Sequence, residues 1–117
     1  MNKVGFILIT PIFILLSHYL AVFPHEYAHS FMAWLLGYKD NPLALNYGGS
    51  SLANILLLLN IDQNVDNQMI YASGHSAYVA LIAFAGPAMN GLLFTLSFWL
   101  ALWPTRFWVN ERLNVLD

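Results

Sequence analysis

The sequence predicts an all-α membrane protein with two main transmembrane helices, at about residues 4–37 and 69–103. Its 117 residues are 59% hydrophobic and 9% charged, whereas an ordinary soluble domain carries about 25% charged residues. Residues 4–38 contain one formally charged side chain and residues 67–105 contain none. Because each stretch exceeds the ~20 apolar residues that cross a bilayer, we expect a single membrane-embedded domain over residues 1–117.

Pro24 interrupts the first stretch, directly after the uncharged run of residues 4–23. If one helix continues through Pro24, the missing backbone donor should kink it there. Alternatively, Pro24 is the first residue of a new helix, where proline is well tolerated. A straight helix from Val4 to Gly37 would be about 51 Å long, against a hydrocarbon core of ~30 Å. We therefore expect a kink, a tilt or a protrusion beyond the membrane.

The segment between the two helices is expected to be re-entrant or interfacial. Turn-forming residues 40–42 open it, and residues 43–47 suit a short strand or a re-entrant loop. The apolar run 52–59 is too short to cross a bilayer, which favours an interfacial or partly inserted helix. Residues 62–66 should return to water.

Gly86, Pro87 and Asn90 interrupt the second predicted helix near its middle. Gly and Pro loosen the helical hydrogen bonding there, and Asn90 places an amide at membrane depth. Ordinary helix packing is an equally good interpretation, since small residues let helices approach closely. Aromatic residues near the end of this helix indicate the membrane interface: Trp99, Trp103, Phe107 and Trp108.

Composition excludes several kinds of site. The net charge is −2 with four Lys and Arg residues, so no basic surface is available for the phosphates of a nucleic acid. The chain has no Cys, which excludes disulfides, thiolate metal ligands and Cys nucleophiles. A metal site would have to use His, Asp or Glu.

Residues 25–29 read His-Glu-Tyr-Ala-His, an H-E-x-x-H pattern. On a helix the imidazoles of His25 and His29 lie about 40° apart on one face, so they can share one metal ion. Zn²⁺ suits two imidazoles and an oxygen ligand, and Glu26 is placed to take a proton from water. Ionisable residues in an apolar segment are costly unless paired or metal-bound. His18 could line a water or proton path, although a hydrogen-bonded histidine is the favoured interpretation.

H-E-x-x-H in the first span with Gly86-Pro87-x-x-Asn90 in a later one resembles the site-2 protease family of intramembrane zinc metalloproteases. Ser30 and residues 33–37, which end in Gly, resemble the residues that follow the motif in family members. Residues 43–49 resemble the family's membrane-associated hairpin or loop. The resemblance covers roughly residues 4–103. It implies that His25 and His29 bind zinc, that Glu26 activates water, and that Asn90 lines the active site or holds substrate.

The family's third metal ligand is an Asp in an N-P-D-G or L-D-G motif on a further transmembrane helix. Here Leu116-Asp117 resembles that motif without the Gly or an apolar span, so Asp117 is the candidate ligand. Asp40, Asp62 and Asp66 are interpreted as solvated loop residues. We expect the domain to be incomplete at its C-terminus. A fragment is favoured over a divergent member of the family.

The sequence therefore predicts an integral membrane zinc metalloendopeptidase. Its substrate would be a transmembrane protein cleaved in or near its membrane segment, which must unwind locally because a helix shields its own carbonyls. One alternative is an inactive membrane protein that keeps the metal motif. Another is a metal-transport subunit with an ion pathway through His18, His25, Glu26, His29 and His75.

Overall fold

The computed structural model describes the backbone of residues 2–114 and the side chains of residues 2–105. Two of its helices, α1 and the Ser76–Thr105 part of α4, are long and apolar enough to cross a membrane. The predicted all-helical class is therefore confirmed for the described residues. The four helices are α1 (Lys3–Leu35), α2 (Leu52–Leu57), α3 (Asn67–Ala72) and α4 (Ser76–Asn114).

α1 runs through Pro24 without interruption, so Pro24 does not begin a new helix. At its start, the Asn2 side chain accepts a hydrogen bond from the Gly5 amide at 2.8 Å, a typical N-cap. α1 ends two residues before the predicted position because Gly37 adopts a positive φ of 83°. The amides of Gly37 and Tyr38 then donate back into the last turn, which satisfies carbonyls that the helix leaves free.

The second predicted helix is divided in two, which corrects the interpretation of residues 69–103 as one helix. Gly74 has a φ of 81°, and the amides of Gly74 and His75 donate back to carbonyls of α3. This is the same glycine-terminated ending as in α1. α4 then starts at Ser76 and continues past Trp103 to Asn114.

α1 and α4 form an antiparallel pair with little buried interior. The buried apolar side chains in the described part of the chain are Ala33, Ile70, Ile82 and Ala85. The radius of gyration is 20.3 Å, whereas a compact domain of this length has about 13 Å. Large apolar side chains along both long helices are exposed, so the pair offers a surface suited to lipid or to other helices.

Residues 36–66 fold as a loop around α2, stabilised by two polar side chains. Lys39 Nζ donates to the carbonyls of Ala44 (2.6 Å), Gln63 and Asn64 (3.3 Å). Burial lowers the pKa of Lys39, while the Asp62 carboxylate acts in the opposite direction. A short strand was one of two structures expected at residues 43–47; the described residues contain instead one isolated bridge, between Asn46 and Asp62.

Asn54 is the second of these side chains. It is 2% exposed, donates to the carbonyls of Tyr47 (2.6 Å) and Gly49 (2.8 Å), and accepts from the amide of Asn60 (2.9 Å). Its side-chain amide therefore connects the residues that precede α2 with Asn60, which follows it.

This loop runs back along α1 towards the N-terminus. His18 Nε2 lies 2.7 Å from the Leu57 carbonyl, and the Tyr19 hydroxyl donates to the carbonyl of Ile55. Residues 18 and 19 lie about 25 Å along the helix from Leu35, at 1.5 Å per residue. The hydrogen bond of His18 agrees with the interpretation of this residue as a bonded histidine.

Candidate metal centre

His25, Glu26 and His29 lie together in α1, as their spacing predicts. Their potential ligand atoms are all within 4.8 Å of one another. The two imidazole rings are 4.6 Å apart, centroid to centroid, at an interplanar angle of 81°. His29 is buried, while His25 and Glu26 are half-buried. This group could hold a metal ion.

α4 contributes the opposite wall of the site through one residue in each of three successive turns. The carbonyl of Ile82 lies 2.5 Å from His29 Nδ1, and the side-chain amide of Asn90 lies 3.1 Å from His25 Nδ1. Gly86 is halfway between them. Residues four apart lie on one face of a helix, so positions 82, 86 and 90 meet the two histidines together.

The hydrogen bond to Ile82 determines which nitrogen of His29 can bind a metal. A carbonyl oxygen can only accept, so His29 Nδ1 must carry the proton. In the neutral ring, Nε2 then has the free electron pair. Metal-binding histidines are commonly oriented by such a bond from the other ring nitrogen.

Gly86 is the point at which α4 comes closest to both imidazoles. A Cβ built at Gly86 would lie 2.3 Å from His29 Nε2 and 2.6 Å from His25 Nε2. Both Nε2 atoms therefore lie beside the same backbone carbon of α4, and only a residue without a side chain lets the two imidazoles approach it so closely.

Two buried polar atoms at this site have no hydrogen-bond partner, Glu26 Oε2 and Asn90 Oδ1. Leaving a buried acceptor unpaired costs about 1–3 kcal/mol, and more when the group is charged. A cation or a proton donor held between α1 and α4 would offset that cost. The donor set and the unpaired carboxylate oxygen fit a metal ion.

The remaining candidate residues lie elsewhere. Pro87 is exposed, so the structure does not place it against the two imidazoles. Asp62 and Asp66 are exposed, and their side chains accept from the amides of Asn64 (2.6 Å) and Met69 (3.0 Å), which agrees with their interpretation as loop residues. Asp40 is exposed as well. Asp117 lies outside the residues that the structure describes.

His75, named in the transport alternative, belongs to a separate cluster between the ends of α1 and α3 and the start of α4. Its Nδ1 lies 2.6 Å from the Tyr38 hydroxyl, and its ring stacks on Tyr78 at a centroid distance of 4.9 Å. Within the described part of the chain, the possible metal ligands therefore group at residues 25–29 alone.

Sequence reasoning missed the carbonyl of Ile82 and the contact of Asn90 with His25. A backbone carbonyl gives no signal in a sequence. The four-residue spacing of Gly86 and Asn90 was visible, but it indicates a shared helix face and not the partner of that face.

No protein-family model, no curated protein and no solved structure matches this chain. The arrangement of residues 25–29 against α4 is therefore the basis for a proposal about function.

Proposed function

We propose that the chain carries a zinc peptidase site within a membrane, of the type that the resemblance to site-2 proteases implies. The observation that supports it most directly is that the potential ligand atoms of His25, Glu26 and His29 lie within 4.8 Å of one another. Glu26, whose Oε2 is buried and unpaired, lies next to His25 in the chain. Histidine and carboxylate ligands without any thiolate are a donor set that zinc accepts.

A zinc ion held by His25 and His29 would supply a Lewis acid that polarises the substrate carbonyl and lowers the pKa of water. In this proposal Glu26 accepts the proton of the attacking water and passes it to the leaving amine. One carboxylate oxygen of Glu26 lies within 4.8 Å of a ring nitrogen of each histidine, close enough to act on water held there.

The substrate proposed is a protein segment that lies in the lipid bilayer. A groove of about 340 Å³ between α1 and α4 extends from Asn90 to Ser17 and Ser97. Its lining is mostly apolar, with a few polar groups that could hold the exposed backbone of an unwound segment. The groove would place such a segment beside the histidines.

We also propose that residues 43–59 are re-entrant. α2 is fixed to His18 and Tyr19, which are well inside the apolar part of α1. If α1 crosses a bilayer, α2 therefore lies at membrane depth, although it is too short to cross. Its apolar side chains, including Leu52 and Leu57, are exposed and would contact lipid.

The test compares the full chain with Glu26→Gln and with the double variant His25→Ala/His29→Ala. Each protein is reconstituted with single-span transmembrane peptides, and new peptide termini are measured by mass spectrometry. The wild type should cleave and hold about one zinc per chain. Glu26→Gln should keep the zinc and lose at least about 100-fold in rate, the usual effect of removing a general base. The double variant should lose both.

The same samples separate the alternatives. Zinc bound without any cleavage in the wild type would favour an inactive metal-binding membrane protein. Movement of zinc across the vesicle membrane without cleavage would favour transport. A wild type that neither binds zinc nor cleaves a peptide would contradict the proposed site itself.

A further inference from the structure

We propose that Asn90 is a positioning residue, which holds the His25 imidazole in the tautomer that can bind a metal through Nε2. The hydrogen bond would run from His25 Nδ1–H to the side-chain oxygen Oδ1 of Asn90. This inference rests on the proposed metal site, and it assigns to Asn90 a role other than contact with substrate.

The position of the ring proton of His25 depends on which atom of the Asn90 amide faces it. Asn90 Nδ2 lies 3.1 Å from His25 Nδ1. If Nδ2 donates there, Nδ1 is the acceptor, and the ring proton of the neutral imidazole must be on Nε2. A protonated Nε2 has no free electron pair and could not bind a metal. In this arrangement Asn90 Oδ1 is also buried without a partner.

A half-turn of the side-chain amide exchanges Nδ2 and Oδ1 within the same space. Oδ1 then accepts from His25 Nδ1–H, and Nε2 is left with a free electron pair. Nδ2 takes the place that Oδ1 had held. One rotation therefore prepares His25 as a ligand.

The other imidazole shows the same pattern on the same face of α4. His29 Nδ1 is paired with the carbonyl of Ile82, an acceptor that cannot donate. Residue 90 is eight positions, or about two turns, further along. With Oδ1 towards His25, α4 provides one acceptor to each histidine, on either side of Gly86. Both Nε2 atoms are then unprotonated and free to bind a metal.

Asparagine supplies this acceptor without a charge. A carboxylate of the same shape would also accept from Nδ1–H, and that N–H and a bound metal ion would pair its charge. Removing the second partner of a metal-binding histidine usually lowers metal affinity by 10- to 100-fold. We expect that range for Asn90→Leu.

The experiment measures zinc affinity of the full chain in detergent, by competition with chelators, for wild type, Asn90→Leu and Asn90→Asp. Asn90→Leu should bind zinc 10- to 100-fold more weakly. Asn90→Asp, which keeps an acceptor of the same shape, should restore affinity to within a few-fold of wild type. Circular dichroism verifies that all three proteins keep the same helix content.

A second readout detects the tautomer directly. The chain has four histidines, so long-range ¹H–¹⁵N spectra of histidine-labelled protein are simple enough to assign. In the zinc-free wild type, the neutral ring of His25 should carry its proton on Nδ1. In zinc-free Asn90→Leu the neutral ring should distribute its proton between the two nitrogens.

The outcomes distinguish this inference from the proposed function. Wild type that binds no zinc would overturn the metal site and the role of Asn90 together. Wild-type zinc binding with equal affinity in Asn90→Leu would overturn the role of Asn90 alone. Equal weakening in Asn90→Leu and Asn90→Asp would indicate a packing role and would overturn it too.

Discussion

Gly86 is the residue at which a single added carbon should have the largest effect. In Gly86→Ala the new methyl group would overlap the Nε2 atoms of His25 and His29, at 2.6 and 2.3 Å. We expect the imidazoles to be displaced and the zinc content to fall from about one per chain to near zero. Elemental analysis of the purified protein measures this directly.

Gly91→Ala is the matched control, because it makes the same substitution about one turn further along α4. A Cβ at Gly91 meets nothing within 4 Å, so zinc content should be unchanged. Alanine also has a higher helix propensity than glycine, so any general effect on α4 would be stabilising in both variants. Equal zinc content in the two variants would contradict the position assigned to the metal.

The limits of sequence reasoning are clear at this scale. His25 and His29 were predicted to meet because four residues make about one helical turn, a purely local relation. Asn90 was predicted to line the active site or to hold substrate, with helix packing as an equal alternative, and its contact with His25 was not predicted. That contact depends on how α4 is placed along α1, which no local spacing determines.

At the scale of elements, α2 and its flanking loop depend on the side chain of Asn54. Its two donors and its oxygen are all paired with backbone groups. Asn54→Ala should leave buried backbone groups unpaired, at about 1–3 kcal/mol each. We expect faster amide hydrogen exchange over residues 47–60, measured by mass spectrometry, with exchange in α4 unchanged.

Leu52→Ala is the control for that measurement, since it lies in the same short helix and is 71% exposed. It should leave exchange in the loop close to the wild-type value. If Leu52→Ala accelerates exchange as much as Asn54→Ala, the loop depends on its apolar contacts and not on Asn54.

The helix boundaries show which local signals were decisive. Pro24 was predicted either to lie within one helix or to begin a new one, and α1 passes through it, in keeping with the tolerance of proline in apolar helices. Gly74 was assigned to a helix interior, yet it ends α3, because its left-handed backbone allows its own amide and that of His75 to bond backwards. The sequence predicted two long helices, but not the short helix that Gly74 separates from α4.

At the scale of the whole molecule, the thin α1–α4 pair and its exposed apolar faces suit a bilayer. The chain has no Cys, so a single introduced Cys reports one position without background. In sealed proteoliposomes Leu56→Cys in α2 should resist a membrane-impermeant maleimide, because the re-entrant proposal buries it in lipid. Asp62→Cys, in the polar part of the loop, should react. Detergent should make both positions reactive.

The comparison tests the re-entrant proposal apart from the metal site. To control for orientation, the vesicles are labelled both intact and with reagent enclosed, so that either side of the membrane is sampled. Rapid labelling of Leu56→Cys from one side would contradict burial of α2 and favour a position at the membrane surface.

The location of His25 and His29 within about one turn of α1 has a consequence for biogenesis. Since both histidines come from one helix, the proposed ion could be acquired while α1 stands alone, before α4 has been synthesised. The later helix would then meet a loaded partner, and its glycine would have to fit around an ion already in place. Metal supply during synthesis, and not only afterwards, should therefore determine how much of the protein assembles correctly.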